Sequence, residues 1–317
     1  MQEQNRTVIE CAQQILAQVR KAVVGKDKVL LWVLSAILAK GHILMEDIPG
    51  VGKTTMALAF SKALGLQNSR VQFTPDVLPS DVTGYSVLNQ TTGAMEYRKG
   101  AVLCNLFLAD ELNRATSRTQ SALLEAMEEQ QVTVDGTTHK LPQPFVVIAT
   151  QNPAGAAGTQ LLPDSQLDRF TVRLSLGYPN PKDEISMVCD RQGVNPLEKI
   201  QQVVDAQQLV QLQETVARTF VSQEVVGYVV ALINATRTSD LLLRGASPRA
   251  TLAVVAMAKT VAQLRGRSYV VPQDVQEILV PTLAHRLQLS YAAAGQGITA
   301  QDALLKIMGT VPAPKLR

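Results

Sequence analysis

Aromatic side chains are scarce in this chain: 4% of 317 residues, with a single tryptophan. A core built with so few of them must rest on Leu, Val, Ile and Ala, and a hydrophobic fraction of 46% supplies enough of these for a sizeable one. Cysteine is scarce too. Cys11, Cys104 and Cys189 are scattered, without metal-ligand spacing, and their odd count does not suit a disulfide framework. Such usage fits a reducing compartment, and Cys104, just ahead of an apolar run, is expected to be buried. Long hydrophobic runs are missing. The longest, Val29 to Ala39, is about half the ~20 residues that a membrane-spanning helix needs. Met1 to Arg20 is polar and lacks the apolar centre of a secretory signal. The expectation is a cytoplasmic protein with no membrane span. Neither sign of charge dominates: a formal net charge of +3 is too small to argue for a nucleic-acid partner. Repeats and low-complexity segments are absent.

What is present is an alternation of short apolar runs with helical patterns. Glu3 to Lys21 and Lys26 to Lys40 read as helices. His42 to Glu46 is a short apolar run ending in a Gly/Pro-rich turn, and Lys53 to Leu64 is Ala- and Leu-rich and reads as a helix. Further runs at Arg70 to Phe73, Asn105 to Ala109, Phe145 to Thr150 and Thr171 to Ser175 complete five strands interleaved with helices, the pattern of a parallel sheet covered on both faces. Two stretches interrupt this rhythm. Gly84 to Arg98 alternates around Thr92-Gly93, and Gln131 to Leu141 alternates around Asp135-Gly136, a strong two-residue turn signal. Both read as hairpin insertions. After Gly177-Tyr178-Pro179-Asn180-Pro181 strand signals cease, and the remainder reads as helical, with helices at Asp205 to Thr219, Ser222 to Thr238, Pro248 to Leu264 and Pro272 to Leu287. The expected division is 1–180 and 181–317.

Five motifs carry chemistry. In Pro49-Gly50-Val51-Gly52-Lys53-Thr54-Thr55 the glycines let backbone approach phosphate oxygens, and the loop amides with the following helix start form an anion cradle. Lys53 is placed to reach β- and γ-phosphates, and Thr54 to coordinate Mg²⁺. The loop departs from the phosphate-loop pattern at Asp47, where glycine is expected; a carboxylate there repels a triphosphate unless it points away. Leu106 to Ala109 is an apolar strand ending in Asp110, a candidate Mg²⁺ ligand, and Glu111, a candidate general base for the attacking water. Val146 to Thr150 leads to Asn152, placed to hold that water or the γ-phosphate, although an Asn-Pro pair by itself also reads as a turn initiator. Arg169, in Leu167-Asp168-Arg169-Phe170, can reach a neighbouring subunit's γ-phosphate; the bland alternative is a surface salt bridge with Asp168. Ser247-Pro248-Arg249 opens a helix whose Arg249 either touches nucleotide or is simply solvated.

These motifs, in this order, resemble the MoxR family of AAA+ ATPases. The segments LADELNRA (108–115) and TQSALLEAMEE (119–129) are the most diagnostic, joined by ATQNP (149–153), Gly158-Thr159, Leu162-Pro163, QLDRF (166–170) and Gly177-Tyr178-Pro179. The match runs from about Val24 to Pro179 and continues more weakly to about Leu287. It implies an α/β P-loop AAA+ core with a parallel five-stranded sheet plus a C-terminal all-α lid domain. It assigns Lys53 and Thr54 to Walker A, Asp110 and Glu111 to Walker B, Asn152 to sensor 1, Arg169 to the arginine finger and Arg249 to sensor 2. The two hairpins match the helix-2 insert and the pre-sensor-1 hairpin, and Val24-Gly25 the segment bordering adenine. It further implies ATP and Mg²⁺ as cofactors, hexameric rings hydrolysing ATP between subunits, chaperone-like remodelling of a client protein, and a partner carrying a von Willebrand A-type domain. The chain departs from the family at Asp47 and at Ala101, where proline is common. A nucleotide-dependent scaffold with negligible turnover, motivated by Asp47, and a chelatase-like motor subunit are the competing expectations. A nucleic-acid motor is disfavoured because the first hairpin carries only Arg98 and Lys99, and the second only His139 and Lys140.

Overall fold

The computed structural model describes residues 7–152, 162–190 and 195–315. Residues 1–6, 153 and 158–159 of the segments quoted above lie outside the described residues. Two helices open the chain, α1 (Val8–Val19) and α2 (Asp27–Leu38). The hydroxyl of Thr7 caps α1, and the Glu10 carboxylate returns to the Thr7 amide. Then come β1 (Ile43–Glu46), α3 (Lys53–Ala63), β2 (Asn68–Gln72), a short α4 (Pro79–Thr83), and the hairpin of β3 (Gly84–Leu88) and β4 (Met95–Lys99). The chain continues with β5 (Leu106–Asp110), α5 (Ser117–Glu129), the second hairpin of β6 (Gln131–Val134) and β7 (Thr137–Lys140), β8 (Val146–Gln151), α6 (Asp164–Leu167) and β9 (Val172–Leu174).

The five expected strands form one parallel sheet in the order β2-β5-β8-β1-β9. The central strands β5 and β8 are buried along their whole length, as their unbroken apolar runs require. β2 lies at the edge and alternates between exposed and half-buried residues. Successive residues point to opposite faces. Ile43, Leu106, Leu108, Val146 and Ile148 join a core with α1, α2, α3 and the C-terminal helices. Leu44, Phe107, Ala109, Val147 and Ala149 face a second core with Leu123 and Leu124 of α5. Cys104 is buried in that second core, which pushes its thiol up to about 12; Cys11 is also buried and Cys189 exposed.

The C-terminal part begins with α7 (Pro181–Asp190), α8 (Ala206–Ala217) and α9 (Gln223–Thr238). It continues with β10 (Leu242–Arg244), α10 (Pro248–Leu264), α11 (Pro272–Leu283), β11 (Gln288–Leu289), α12 (Tyr291–Gly295) and α13 (Ala300–Thr310). Side chains of Asp205, Ser222, Ser247 and Thr299 cap α8, α9, α10 and α13. Within this almost entirely helical part, β10 and β11 form a small antiparallel ribbon. Strands this short carry no legible alternation. The first core runs without a break from α1 through the sheet to α9, α10 and α11, so no apolar seam separates the two parts. Both hairpins form as expected. Asp135 (φ 49°) and Gly136 (φ 77°) supply the tight turn of the second. Tyr97 and His139 stack at 3.7 Å between centroids and tie one hairpin to the other. No helix of the described residues is long and apolar enough to cross a membrane.

Candidate active site

β1 ends at Glu46 and α3 begins at Lys53, and the loop between them sits at the carboxyl end of the sheet, where β1 lies between β8 and β9. Gly50 (φ 86°) and Gly52 (φ 97°) hold left-handed conformations that favour glycine. A Cβ at either would meet nothing within 4 Å, so conformation, not crowding, is the constraint. Lys53 is buried, and its Nζ donates to the carbonyl oxygens of Asp47 at 2.7 Å and Ile48 at 3.1 Å. Burial lowers its pKa, opposed by the charges of Asp47, Asp110 and Glu111.

Asp47 points away from this cleft. Its Oδ1 accepts the Ser175 hydroxyl at 2.7 Å and the Gly177 amide at 3.0 Å, and its Oδ2 the Leu176 amide at 2.6 Å. The carboxylate is buried and fully engaged in fastening the strand-to-helix linker after β9 to the loop. It faces neither solvent nor the space before the loop amides.

Asp110, at the end of β5, is the hub of the cleft. Its Oδ1 accepts from Thr150 Oγ1 at 2.7 Å, and its Oδ2 from Thr54 Oγ1 at 3.3 Å and from Arg70 Nη2 at 2.7 Å. Glu111 follows in a left-handed conformation (φ 54°), uncommon outside glycine. Its amide donates to Thr150 Oγ1 at 2.8 Å. Its carboxylate accepts from Arg114 Nη1 at 2.8 Å and from Asn152 Nδ2 at 3.3 Å. Pro49, Gly50, Gly52, Lys53, Thr54, Thr55, Asp110, Glu111 and Asn152 thus line one cleft, together with Arg70, Gln72 and Thr150. Val51 is not among them; it is half-buried and packs against the first core. The hydroxyl of Thr54 and the carboxylate of Asp110 are hard oxygen donors that fit Mg²⁺. Among the described residues no cluster of three or more His, Cys, Asp or Glu could cage a metal.

Three expected site elements lie elsewhere. Arg169 Nε donates to Glu128 Oε2 at 2.9 Å, and Arg249 Nη2 bonds the other oxygen of the same carboxylate. Both guanidiniums line a separate pocket with His42, Met127 and Glu128. The alternative pairing of Asp168 with Arg169 does not form. Asp168 instead accepts from Arg286 Nη1 at 2.6 Å and from Ser247 Oγ, the cap of α10. Val24-Gly25 does not line the cleft either. Gly25 (φ 71°) meets the start of α7, where a Cβ would fall 1.7 Å from Asp183 Oδ2, and Lys26 Nζ bonds the Tyr178 carbonyl at 2.7 Å.

Known proteins resemble this chain in sequence and fold. Residues 42–172 match the model of the ATPase family associated with various cellular activities (AAA), and residues 234–307 match the AAA lid domain. The chain is 43% identical over 299 residues to the uncharacterized protein YeaC of Bacillus subtilis, covering 94% of this chain and 93% of that protein. It is 38% identical over 317 residues to Chaperone MoxR1 of Mycobacterium tuberculosis, covering 97% and 84%. A crystal structure from Cytophaga hutchinsonii, assigned as an ATPase, superposes with a TM-score of 0.90 at 35% identity, over 97% of this chain and 96% of that one. The chain belongs to the MoxR family of AAA+ ATPases.

Within this MoxR-family site, four residues were not foreseen. Thr150 bridges the two acids, and Arg70 bonds Asp110. Arg114 holds Glu111, and Glu128 holds both outlying arginines. Arg70 had a visible signal, a charge placed in an alternating edge strand. Arg114 sits three residues after Glu111, within helical reach. Thr150 and Glu128 had none, because their partners are distant in sequence.

Proposed function

We propose that this chain binds Mg-ATP at Pro49 to Thr55, hydrolyses it in a ring of copies, and uses the resulting motion to remodel a partner protein. One observation carries the reading: Lys53, Thr54, Asp110, Glu111 and Asn152 line one cleft, whereas Arg169 and Arg249 converge on Glu128 in another. A single chain therefore has the loop, the metal ligands and the base, but neither arginine. A neighbour that brings its Arg169 and Arg249 to the first chain's cleft completes the site, and in each chain the Glu128 carboxylate stands where the adjacent chain's phosphate would be gripped. Asn152 and Glu111 orient and deprotonate the attacking water; Thr54 and Asp110 would hold Mg²⁺, which would offset charge on the phosphates. Val24-Gly25 borders the base. The two stacked hairpins are the elements that act on the client.

A hexamer, a von Willebrand A-domain partner and a cytoplasmic location complete the proposal. The relative named Chaperone MoxR1 favours the remodelling role. A chelatase-like motor remains the nearest alternative because it would use the same inserts. The scaffold reading loses its motive, since the Asp47 carboxylate is bonded to Leu176 and Gly177 and turned from the cleft. The test is Mg-dependent phosphate release per chain as a function of protein concentration. A steep rise through the concentration at which rings form is expected. Turnover per chain that stays constant down to the dilute monomer contradicts it.

A further inference from the structure

The guanidinium hydrogen-bonded to Asp110 comes from outside the phosphate loop. Arg70 lies on the edge strand β2, and its Nε and Nη2 stand 3.1 and 2.7 Å from Asp110 Oδ2. Thr54 Oγ1 approaches that same oxygen at 3.3 Å, while Oδ1 is held by Thr150. A carboxylate oxygen offers about two lone-pair sites. Three donors saturate Oδ2. A Mg²⁺ ion held by Thr54 and Asp110, directly or through water, needs acceptor capacity on that atom. The guanidinium and the metal therefore compete for it. Arg70 is free to yield: its side chain is 49% exposed, and its other hydrogen bond is a long one, to Gln72 Oε1 at 3.4 Å.

We propose that Arg70 is the counter-cation of the metal site: it neutralises Asp110 when no metal is bound, lets ATP approach without Mg²⁺, and gives up Oδ2 when Mg²⁺ enters. This makes Arg70 a positioning residue that sets how strongly nucleotide binding depends on metal. The proposal rests on reading Thr54 and Asp110 as the Mg-ATP site.

Binding linkage supplies the test. The affinity of the full-length protein for a fluorescent ATP analogue is measured in EDTA and in saturating Mg²⁺, and the two dissociation constants are expressed as a ratio. In Arg70→Gln the Asp110 charge is left facing the triphosphate, and the competitor for Mg²⁺ is gone. The ratio of Kd in EDTA to Kd in Mg²⁺ is expected to rise about tenfold or more over wild type, the scale of one charge-assisted contact. Arg70→Lys keeps the charge but not the two-pronged contact, so its ratio falls between the two. If Arg70 only braces the edge strand, both affinities fall together and the ratio stays put, which overturns the proposal while leaving the Mg-ATP reading intact. A wild-type protein that binds the analogue neither with nor without Mg²⁺ removes both.

Discussion

The carboxylate of Asp47 accepts three hydrogen bonds from the segment 175–177, two of them from backbone amides. Asp47→Ala leaves buried donors unmatched and is expected to destabilise the fold by about 2–3 kcal/mol, read by urea unfolding; a loss below about 0.5 kcal/mol would deny the fastening. The departure from the phosphate-loop pattern at this position was legible in the sequence, and so was the danger of a carboxylate in a phosphate loop. Its resolution could not be read, because the acceptor and its donors lie 128 to 130 residues apart in the chain. Glu111 is the opposite case. Its place at the end of an apolar strand was legible, and its role is testable by one exchange. Glu111→Gln should bind ATP with near-normal affinity while phosphate release falls by about 10²-fold or more. Loss of binding in parallel with turnover would assign Glu111 to the fold instead.

At the level of elements, unbroken apolar runs such as Leu106 to Ala109 announced the central strands, since such runs can be buried on both faces. The edge strand β2 gave a weaker signal, and its Arg70 gained meaning only beside Asp110. Joints between elements were not legible at all. Arg286, its side chain buried, bonds Asp168 at 2.6 Å and the Phe170 carbonyl at 2.7 Å, and so clamps the segment carrying Arg169 to the end of α11. Burial lowers the Arg286 pKa and the Asp168 charge opposes this. Arg286→Met should cost about 3 kcal/mol in denaturant unfolding, because Asp168 loses its partner. His42 joins β1, β8 and the end of α5: its Nδ1 accepts the Val147 amide at 3.0 Å and its Nε2 meets the Met127 carbonyl at 3.2 Å. Burial pushes its pKa down to about 4, against the Met127 bond, and burial moves His285 the same way, helped by the Arg286 charge. The folded state holds both rings neutral. The contribution of His42 is therefore intact above pH 6.5 and lost as pH falls from 6.5 towards 4, at about 1.4 kcal/mol per unit, and that of His285 is lost in the same direction. Thermal unfolding should show Tm dropping steadily over that range, and His42→Gln should be less stable at pH 7 but lose less on acidification. A Tm indifferent to pH between 6.5 and 4.5 would contradict the neutral assignment.

For the whole molecule, one apolar core continues from α1 through the sheet to the C-terminal helices. The order of motifs along the chain conveyed the fold and the cleft. It could not convey that Arg169 and Arg249 share Glu128, because that meeting depends on how α5, α6 and α10 come together. The central claim is that each cleft is completed by a neighbour. Mixing two inactive variants, Glu111→Gln and Arg169→Ala, tests it most directly, with phosphate release as the readout. In mixed rings an Arg169→Ala subunit keeps its own Glu111 and can receive an intact Arg169 from a Glu111→Gln neighbour. Activity should return on mixing to roughly a quarter of the wild-type rate, the share of interfaces with both groups intact in randomly mixed heterologous rings. Co-assembled rings that stay as inactive as either variant alone would contradict the account.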